Sequence, residues 1–221
     1  NKSIITEYKK QELPNYEVFD EKRYFQPGNT AGIFEVNGYR VALSVCEDIW
    51  HEKAINQAHK SKAKLLLNID ASPFHLDKIN ERKKLISSQS SKYSLPIVYV
   101  NQVGGQDELV FDGTSMVMDG DGKQVMQLAK FEEDKKVVSF VSKEDGNLKS
   151  EITEDIPEDK ELEEVYQALV LGAKDYIVKN RFPGVLIGSS GGIDSALTTA
   201  IAFDAIGPKK VRTYMMPFKF T

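Results

Sequence analysis

The first half of the sequence alternates short apolar runs with segments of helical periodicity. From residue 32 it reads GIFEVNGYRVALSVCEDIW, with apolar positions alternating on both sides of Asn37-Gly38. This pattern predicts a β-hairpin with a type I′ turn, because Asn-Gly readily adopts the left-handed backbone that the turn requires. The segments that follow predict a helix EKAINQAHKSKA, a buried strand LLLNI, a charged helix from about Leu76 to Tyr93 and an apolar strand IVYVNQV.

The pattern then changes to strands alone. TSMVMD, KQVMQL and KVVSFV are strand-like, and an Asp-Gly-Asp-Gly turn at residues 119–122 separates the first two. Strands and helices that alternate, followed by a meander of strands, predict a layered α/β domain over residues 1–143.

Residues 144–161 differ in composition from the segments on either side. They are acidic, contain proline and have few large apolar residues, which predicts a linker. A helix over residues 162–179, a strand GVLIG, the turn SSGGIDSA and a helix ALTTAIAFDAIG follow. A strand, a glycine-rich turn and a helix in this order predict that residues 162–221 begin a nucleotide-binding α/β domain.

Charge and composition exclude several classes of function. The formal net charge of −4 provides no basic surface for nucleic acid or for an anionic membrane. None of the three histidines has a neighbouring cysteine at zinc-ligand spacing, so we expect neither a structural metal nor a tightly bound cofactor. No apolar run is long enough to span a bilayer and no signal peptide opens the sequence, so we expect a cytoplasmic protein. We also expect the protein to form a homo-oligomer.

Both ends of the sequence have the character of internal positions. The first residue is Asn1 rather than Met, and the final segment VRTYMMPFKFT stops directly after a strand-like run. We therefore expect the chain to be the central piece of a longer protein, with part of its catalytic set lying elsewhere.

The sequence contains one cysteine, Cys46, at the point where a predicted strand ends and Glu47-Asp48 begins a polar turn. A sharp bend at a strand end can expose a side chain and leave backbone N–H groups free to receive an oxyanion. An ionised thiol in such a place is a strong nucleophile. A buried structural cysteine is the alternative, because free cysteine is commonly a small core residue. The local sequence leaves the two equally open.

Four segments, YKKQEL, LPNYEVFDEKRYF, FQPG and VCEDIW, together resemble the nitrilase superfamily. Its members use a cysteine, a lysine and a glutamate, and matching the motifs residue by residue implies Cys46 as the nucleophile and Lys10 as the lysine. A lysine beside the thiol favours the thiolate and donates to an oxyanion, whereas the alternative is an ordinary solvated lysine. The superfamily's glutamate lies upstream of its lysine, where this chain has only Glu7. Glu7 is too near in sequence to match, so we expect the general base to be absent.

The segment NIDASPF at residues 68–74 resembles the glutamine-binding stretch of the glutaminase domains in this superfamily. The resemblance implies that Ser72 and Lys78 hold the glutamine head group and that Tyr16 closes over it. A hydroxyl and a cation suit an α-carboxylate. An ordinary Ser-Pro turn and a helix-surface lysine are the alternative.

The turn SGGIDS after GVLIG is not a Walker A loop, because it lacks the lysine of that motif. It resembles the pyrophosphate loop of the N-type ATP pyrophosphatases, in which small residues and a helix N-terminus cradle phosphate. The alternative is a plain helix cap at Ser190 or Asp194. The resemblance implies ATP contacts at Gly188, Ser189, Ser190, Gly191, Gly192, Asp194 and Ser195.

The order of the two motifs resembles the family of glutamine-dependent NAD synthetases. It implies an incomplete nitrilase-like α-β-β-α sandwich followed by the start of a doubly wound, Rossmann-like ATP pyrophosphatase domain. The implied reaction takes ammonia from glutamine and delivers it to deamido-NAD that ATP, carried with Mg²⁺, has adenylated. A different amidotransferase, a nitrilase-type amidohydrolase and an inactive fragment remain as alternatives.

Overall fold

A computed structural model describes residues 3–215 of the chain, which form strands and helices in alternation over most of their length. The strands are Gly32–Val36 (β1), Tyr39–Val45 (β2), Leu65–Asp70 (β3), Ile97–Asn101 (β4), Val103–Gln106 (β5), Leu109–Asp112 (β6), Met116–Met118 (β7), Gln124–Gln127 (β8), Phe140–Ser142 (β9), Leu148–Ser150 (β10), Val185–Ser189 (β11) and Val211–Met215 (β12). The α-helices are Glu21–Tyr24 (α1), Glu52–Lys60 (α2), Lys78–Tyr93 (α3), Glu161–Lys179 (α4) and Ile193–Ile206 (α5).

The main feature is a six-stranded mixed sheet with the strand order β1-β2-β3-β4-β7-β8. Its central strands β2, β3 and β4 run parallel, since α2 connects the first pair and α3 the second. Both helices cover one face of the sheet, where Ile55 and Ile86 pack in one buried cluster with Leu66 and Tyr99. Because these strands are parallel, their carboxyl ends meet at the same edge, and this edge carries the candidate site.

The opposite face of the sheet is only partly covered. Val117, Val125 and Met126 form a small cluster there with Phe140, whereas Ile69 remains 60% exposed. Within residues 3–215, the expected four-layer sandwich is therefore represented by one helical layer and one large sheet.

The predicted hairpin and the strands that follow it are present, with some differences. The turn between β1 and β2 has positive φ at both Asn37 (51°) and Gly38 (79°), as type I′ requires. The sequence pattern missed the hairpin of β5 and β6, where Gly104 and Gly105 supply no apolar side chains to alternate. It also placed a strand over KVVSFV, whereas β9 begins only at Phe140.

Part of the predicted linker over residues 144–161 is folded against the first domain. It contains β10, which pairs with β9, and the Ser150 N–H donates to the buried Asp119 carboxylate at 2.8 Å. The Glu154 N–H donates to the Val125 carbonyl, also at 2.8 Å. The linker prediction missed these contacts because they use backbone groups, about which side-chain composition says little.

The second unit begins with α4 and continues through a β–α–β arrangement. β11 and β12 pair in parallel and α5 connects them, as the nucleotide-binding prediction requires. The Met-Pro end predicted to approach an adenine, Met216-Pro217, lies outside the described residues. Among residues 3–215, no helix is both long enough and apolar enough to cross a membrane.

Helix α4 joins the two units by packing on the β5–β6 hairpin. Asp175 accepts the Gly105 N–H at 2.7 Å, and Lys179 donates to the Gly105 carbonyl at 2.7 Å. A Cβ at Gly105 would lie 3.1 Å from the Gly172 Cα. The backbones therefore meet closely here because both positions lack a side chain.

Candidate active site

Cys46 lies at the carboxyl end of β2, where the strand changes to a 3₁₀ turn over Cys46–Trp50. Its φ of 49° is in the left-handed region, which non-glycine residues seldom adopt. Asp48 holds this bend, because its carboxylate accepts the Val45 N–H at 3.0 Å. Cys46 lines a cavity of about 650 Å³ at the sheet edge. The prediction of a sharp bend at a strand end is therefore confirmed.

Asp48 also binds the segment that carries Lys10. This carboxylate is fully buried, and its Oδ1 accepts the N–H groups of Gln11 at 2.9 Å and Glu12 at 2.8 Å. Its Oδ2 accepts the Tyr8 hydroxyl at 2.7 Å. One side chain thus ties the lysine segment to the turn that begins with the cysteine.

Lys10 lines the same cavity as Cys46, and its ammonium contacts Glu21 of α1 at 2.7 and 2.8 Å. The Lys10 side chain is 14% exposed, whereas that of Lys9 is 74% exposed. Lys9 lines the cavity as well, so the two lysines differ in burial and not in access to the cavity.

The groups around Cys46 favour a neutral thiol. Burial, and after it the neighbouring Asp70 carboxyl, raise the pKa of Cys46 to about 12, although Lys10 and the Ala71 N–H act in the opposite direction. Burial likewise raises the pKa of Asp70. Since Glu21 already neutralises Lys10, this cation stabilises the thiolate less than an unpaired lysine would.

The three residues predicted to bind glutamine are absent from the lining of this cavity. Tyr16 donates to Glu47, the residue after the cysteine, at 2.8 Å. Ser72 is buried, and its N–H donates to the Asn101 side chain at 2.9 Å. The Lys78 ammonium lies 4.1 Å from the centre of the Trp50 ring. Their role in glutamine binding remains a prediction.

The serine-glycine turn connects β11 to α5 and is exposed. Gly191 has a φ of 84°, and a Cβ there would meet nothing within 4 Å. Within the turn, the Ser190 hydroxyl lies 3.3 Å from that of Ser195 and accepts the Gly192 N–H at 3.3 Å. The turn thus exposes hydroxyls, small residues and the N-terminus of a 14-residue helix to solvent, and this arrangement is suited to binding phosphate.

Comparison with known proteins agrees with both halves of this geometry. A family model described as carbon-nitrogen hydrolase matches residues 1–142. The chain belongs to the carbon-nitrogen hydrolase family. A second model, described as NAD synthase, matches residues 165–221 of this carbon-nitrogen hydrolase chain.

Similar proteins resemble the carbon-nitrogen hydrolase chain over both units. The glutamine-dependent NAD(+) synthetase of Acinetobacter baylyi is 40% identical over 218 residues, which are 99% of this chain and 40% of that protein. A solved structure of the glutamine-dependent NAD+ synthetase from Acinetobacter baumannii, in complex with ADP, is 43% identical with a TM-score of 0.91, and the match covers 97% of this chain and 40% of that one. The chain thus spans about two fifths of the length of these relatives.

A nitrilase-superfamily amidase provides a third comparison for the carbon-nitrogen hydrolase unit. The solved structure of a mutant of the Nesterenkonia AN1 amidase has a TM-score of 0.50 at 25% identity, over 55% of this chain and 45% of that one. The nitrilase-like fold predicted from the sequence is therefore confirmed.

Sequence reasoning missed two acids of the carbon-nitrogen hydrolase site. Glu21 lies downstream of Lys10, whereas the superfamily's glutamate lies upstream of its lysine, and α1 folds back to bring Glu21 onto Lys10. Asp70 stands within NIDASPF, the segment in which the resemblance implies a role for Ser72. The available signal was its place at the end of a strand parallel to that of Cys46.

Proposed function

We propose that this chain forms the ammonia-releasing site and the start of the ATP site of a glutamine-dependent NAD synthetase. The observation that carries the proposal is the presence of Cys46 and Lys10 in one cavity, in a chain that also presents a phosphate-suited turn before α5. The chain's similarity to synthetases of that name supports the same conclusion.

In the proposed first reaction, the Cys46 sulfur attacks the side-chain carbonyl of glutamine. A carbon–sulfur bond forms, the carbon–nitrogen bond breaks, and the thiol proton leaves with the nitrogen as ammonia. Water then adds to the thioester, giving glutamate and restoring the thiol. Lys10 is placed to donate to the oxyanion of each tetrahedral intermediate, a contribution typically worth about 3 kcal/mol.

Glu21 and Asp48 position that lysine in the proposed mechanism. Glu21 holds its ammonium at the cavity wall, and Asp48 holds its backbone segment. Tyr16, Ser72 and Lys78 are proposed to bind the glutamine head group. Ser72 directly follows Ala71 of the cavity lining, and Tyr16 contacts Glu47 beside Cys46.

In the proposed second reaction, ATP binds at the turn before α5 and adenylates the carboxylate of deamido-NAD. The N–H groups and hydroxyls of Ser189–Ser195 suit its phosphates. No group of three or more histidine, cysteine or acidic side chains that could hold a metal occurs among residues 3–215. Mg²⁺ is proposed to arrive with ATP as part of the substrate complex.

The proposal is tested by measuring NAD formation from glutamine, ATP and deamido-NAD with the protein as its gene encodes it. We expect NAD formation to require all three substrates and to release glutamate in equal amount. Glutamine hydrolysis that never leads to NAD under these conditions would favour a simple amidohydrolase instead.

A further inference from the structure

The inner wall of the cavity contains a second acid beside the thiol. Val45 of β2 pairs in parallel register with Ile69 of β3, so the next residues, Cys46 and Asp70, emerge side by side at the sheet edge. Both line the cavity. Asp70 is only 5% exposed, and neither of its carboxyl oxygens has a hydrogen-bond partner among the described residues.

The cations near Asp70 are already neutralised by other acids. Lys10 is held by both oxygens of Glu21. Arg82 of α3, on the inner side, is held by both oxygens of Asp112 at 2.6 and 2.7 Å. Among residues 3–215, these two are the cations that favour the charged form of Asp70. A buried carboxylate without its own cation is costly, and burial accordingly raises the pKa of Asp70 above its ordinary value.

Of the remaining titratable groups around the pair, Lys9 is a cation that also lines the cavity, but its side chain is 74% exposed and therefore screened by solvent. The Tyr99 hydroxyl on β4 is fully buried beside Asp70 and has no partner in the described chain. Tyr16 and Glu47 lie on the outer side and are bonded to each other. Cys46 and Asp70 are therefore two neighbouring acids in one low-polarity environment.

We infer that Asp70 is a positioning residue for the nucleophile, because its carboxyl shares the buried cavity wall with Cys46 and its negative charge, once formed, keeps the thiol protonated. Two acids at close range ionise in sequence, since the first charge opposes the second. The carboxyl ionises first, which leaves the thiol as the disfavoured second site. A thiol that stays protonated reacts slowly with electrophiles in solution, because the thiolate is the reactive form.

The test is the pH dependence of Cys46 alkylation by iodoacetamide, an uncharged reagent, in the protein as its gene encodes it. Digestion followed by mass spectrometry assigns each alkylation event to its peptide, so the measured rate is that of Cys46. We expect the unaltered chain to show its midpoint well above the ordinary thiol value of about 8.5. Asp70→Asn, which retains the shape without the charge, is expected to lower the midpoint by about one pH unit and to accelerate alkylation at pH 8 about tenfold.

Two further variants isolate the charge from the shape. Asp70→Glu retains an acid beside the cavity and is expected to keep the high midpoint. Asp121→Asn makes the same chemical change at an exposed turn and is expected to leave the profile unaltered. Circular dichroism at each pH confirms that the compared proteins are folded.

An alkylation midpoint at or below about 8.5 in the unaltered protein would by itself overturn the inference. The inference therefore stays testable even if Asp70→Asn does not fold. Equal profiles for Asp70→Asn and the unaltered chain, or a lowered midpoint for Asp70→Glu, would overturn it as well. The inference rests on the proposed function only because the proposed function makes Cys46 the nucleophile. Alkylation needs no glutamine, so a failed NAD assay with the expected alkylation profiles would count against the proposed function alone.

Discussion

The Asp48 carboxylate accepts the Gln11 backbone N–H at 2.9 Å, across 37 residues of sequence. Asp48 lies in the turn that begins with Cys46, and Gln11 directly follows Lys10. This bond, with its neighbour to Glu12, sets the position of the lysine segment relative to the thiol. A buried acid with no contact to the reacting atoms thus positions the two residues assigned to catalysis.

Replacing Asp48 with Asn is expected to destabilise the protein and to reduce amide hydrolysis. The amide presents N–H groups where backbone donors now bind an oxygen, so buried donors lose their acceptor. Hydrogen bonds to a buried charge typically contribute about 1.5–3 kcal/mol each, and we expect a loss of at least about 2 kcal/mol in the free energy of unfolding. Urea denaturation measures it, with Asp145→Asn at an exposed turn as the control. Equal stability of the two variants would contradict the positioning role.

Lys10→Ala is expected to reduce kcat/KM for glutamine hydrolysis about a hundredfold, because the oxyanion loses a donor. Lys9→Ala is the matched control, since that side chain is largely exposed and pairs with Glu7 only at 3.9 Å. The two variants are compared by steady-state glutamate release, measured on the protein as its gene encodes it. A larger effect at Lys9 would show that the motif was matched one residue out of register.

Cys46→Ala is expected to abolish NAD formation from glutamine and to preserve formation from added ammonium. The reason is that the thiol acts only in releasing ammonia. Loss of both activities to the same degree would argue against two separate sites.

Asp194→Ala is expected to impair NAD formation from either nitrogen source, since adenylation precedes ammonia attack in both. ATP–pyrophosphate exchange that depends on deamido-NAD measures the step directly. Full exchange activity in the variant would remove Asp194 from the ATP site.

Asp70 is expected to make the stability of the folded chain depend on pH. Burial raises the pKa of its carboxyl above the ordinary value of 3.8, so the folded state binds this proton more tightly than the unfolded state. The stabilisation that Asp70 provides through its raised pKa is fully present below pH 3.8 and is lost as the pH rises through the folded-state pKa. The stability of Asp70→Asn relative to the unaltered protein should therefore increase with pH above 3.8. Urea unfolding at a series of pH values tests this, and a constant difference would contradict it.

Gly105→Val is expected to weaken the docking of α4, because a side chain there meets the Gly172 Cα and the Asp175 Cβ at 3.1 Å. Overpacking of this kind typically costs about 1–3 kcal/mol, measurable by urea denaturation. Leu162→Ala, on an 86% exposed side chain of the same helix, should change stability by less than about 0.5 kcal/mol. Similar effects from both would show that close approach of the backbones is unimportant.

Features that depend on neighbouring residues were predictable from the sequence. The Asn37-Gly38 turn, the strands β2, β3 and β4, the helices between them and the loop before α5 follow from local patterns of apolar residues and glycines, whereas the parallel pairing of the strands was not predicted. The β5–β6 hairpin was missed because Gly104 and Gly105 interrupt the strand pattern, and β10 was missed because its backbone bonds lie in an acidic segment. In both cases contacts with distant segments outweighed a weak local signal.

The sequence by itself determined the order of the two motifs, the identity of the single thiol and its place at a strand end. Only the tertiary structure decided which lysine is buried at the cavity, which acid neutralises it and which acid stands beside the thiol. Burial and charge pairing depend on segments far apart in the chain, such as Lys10 with Glu21 and Arg82 with Asp112. Local patterns carry no information about such pairs, since the energy of a buried charge is set by whichever groups the fold brings within a few ångströms of it.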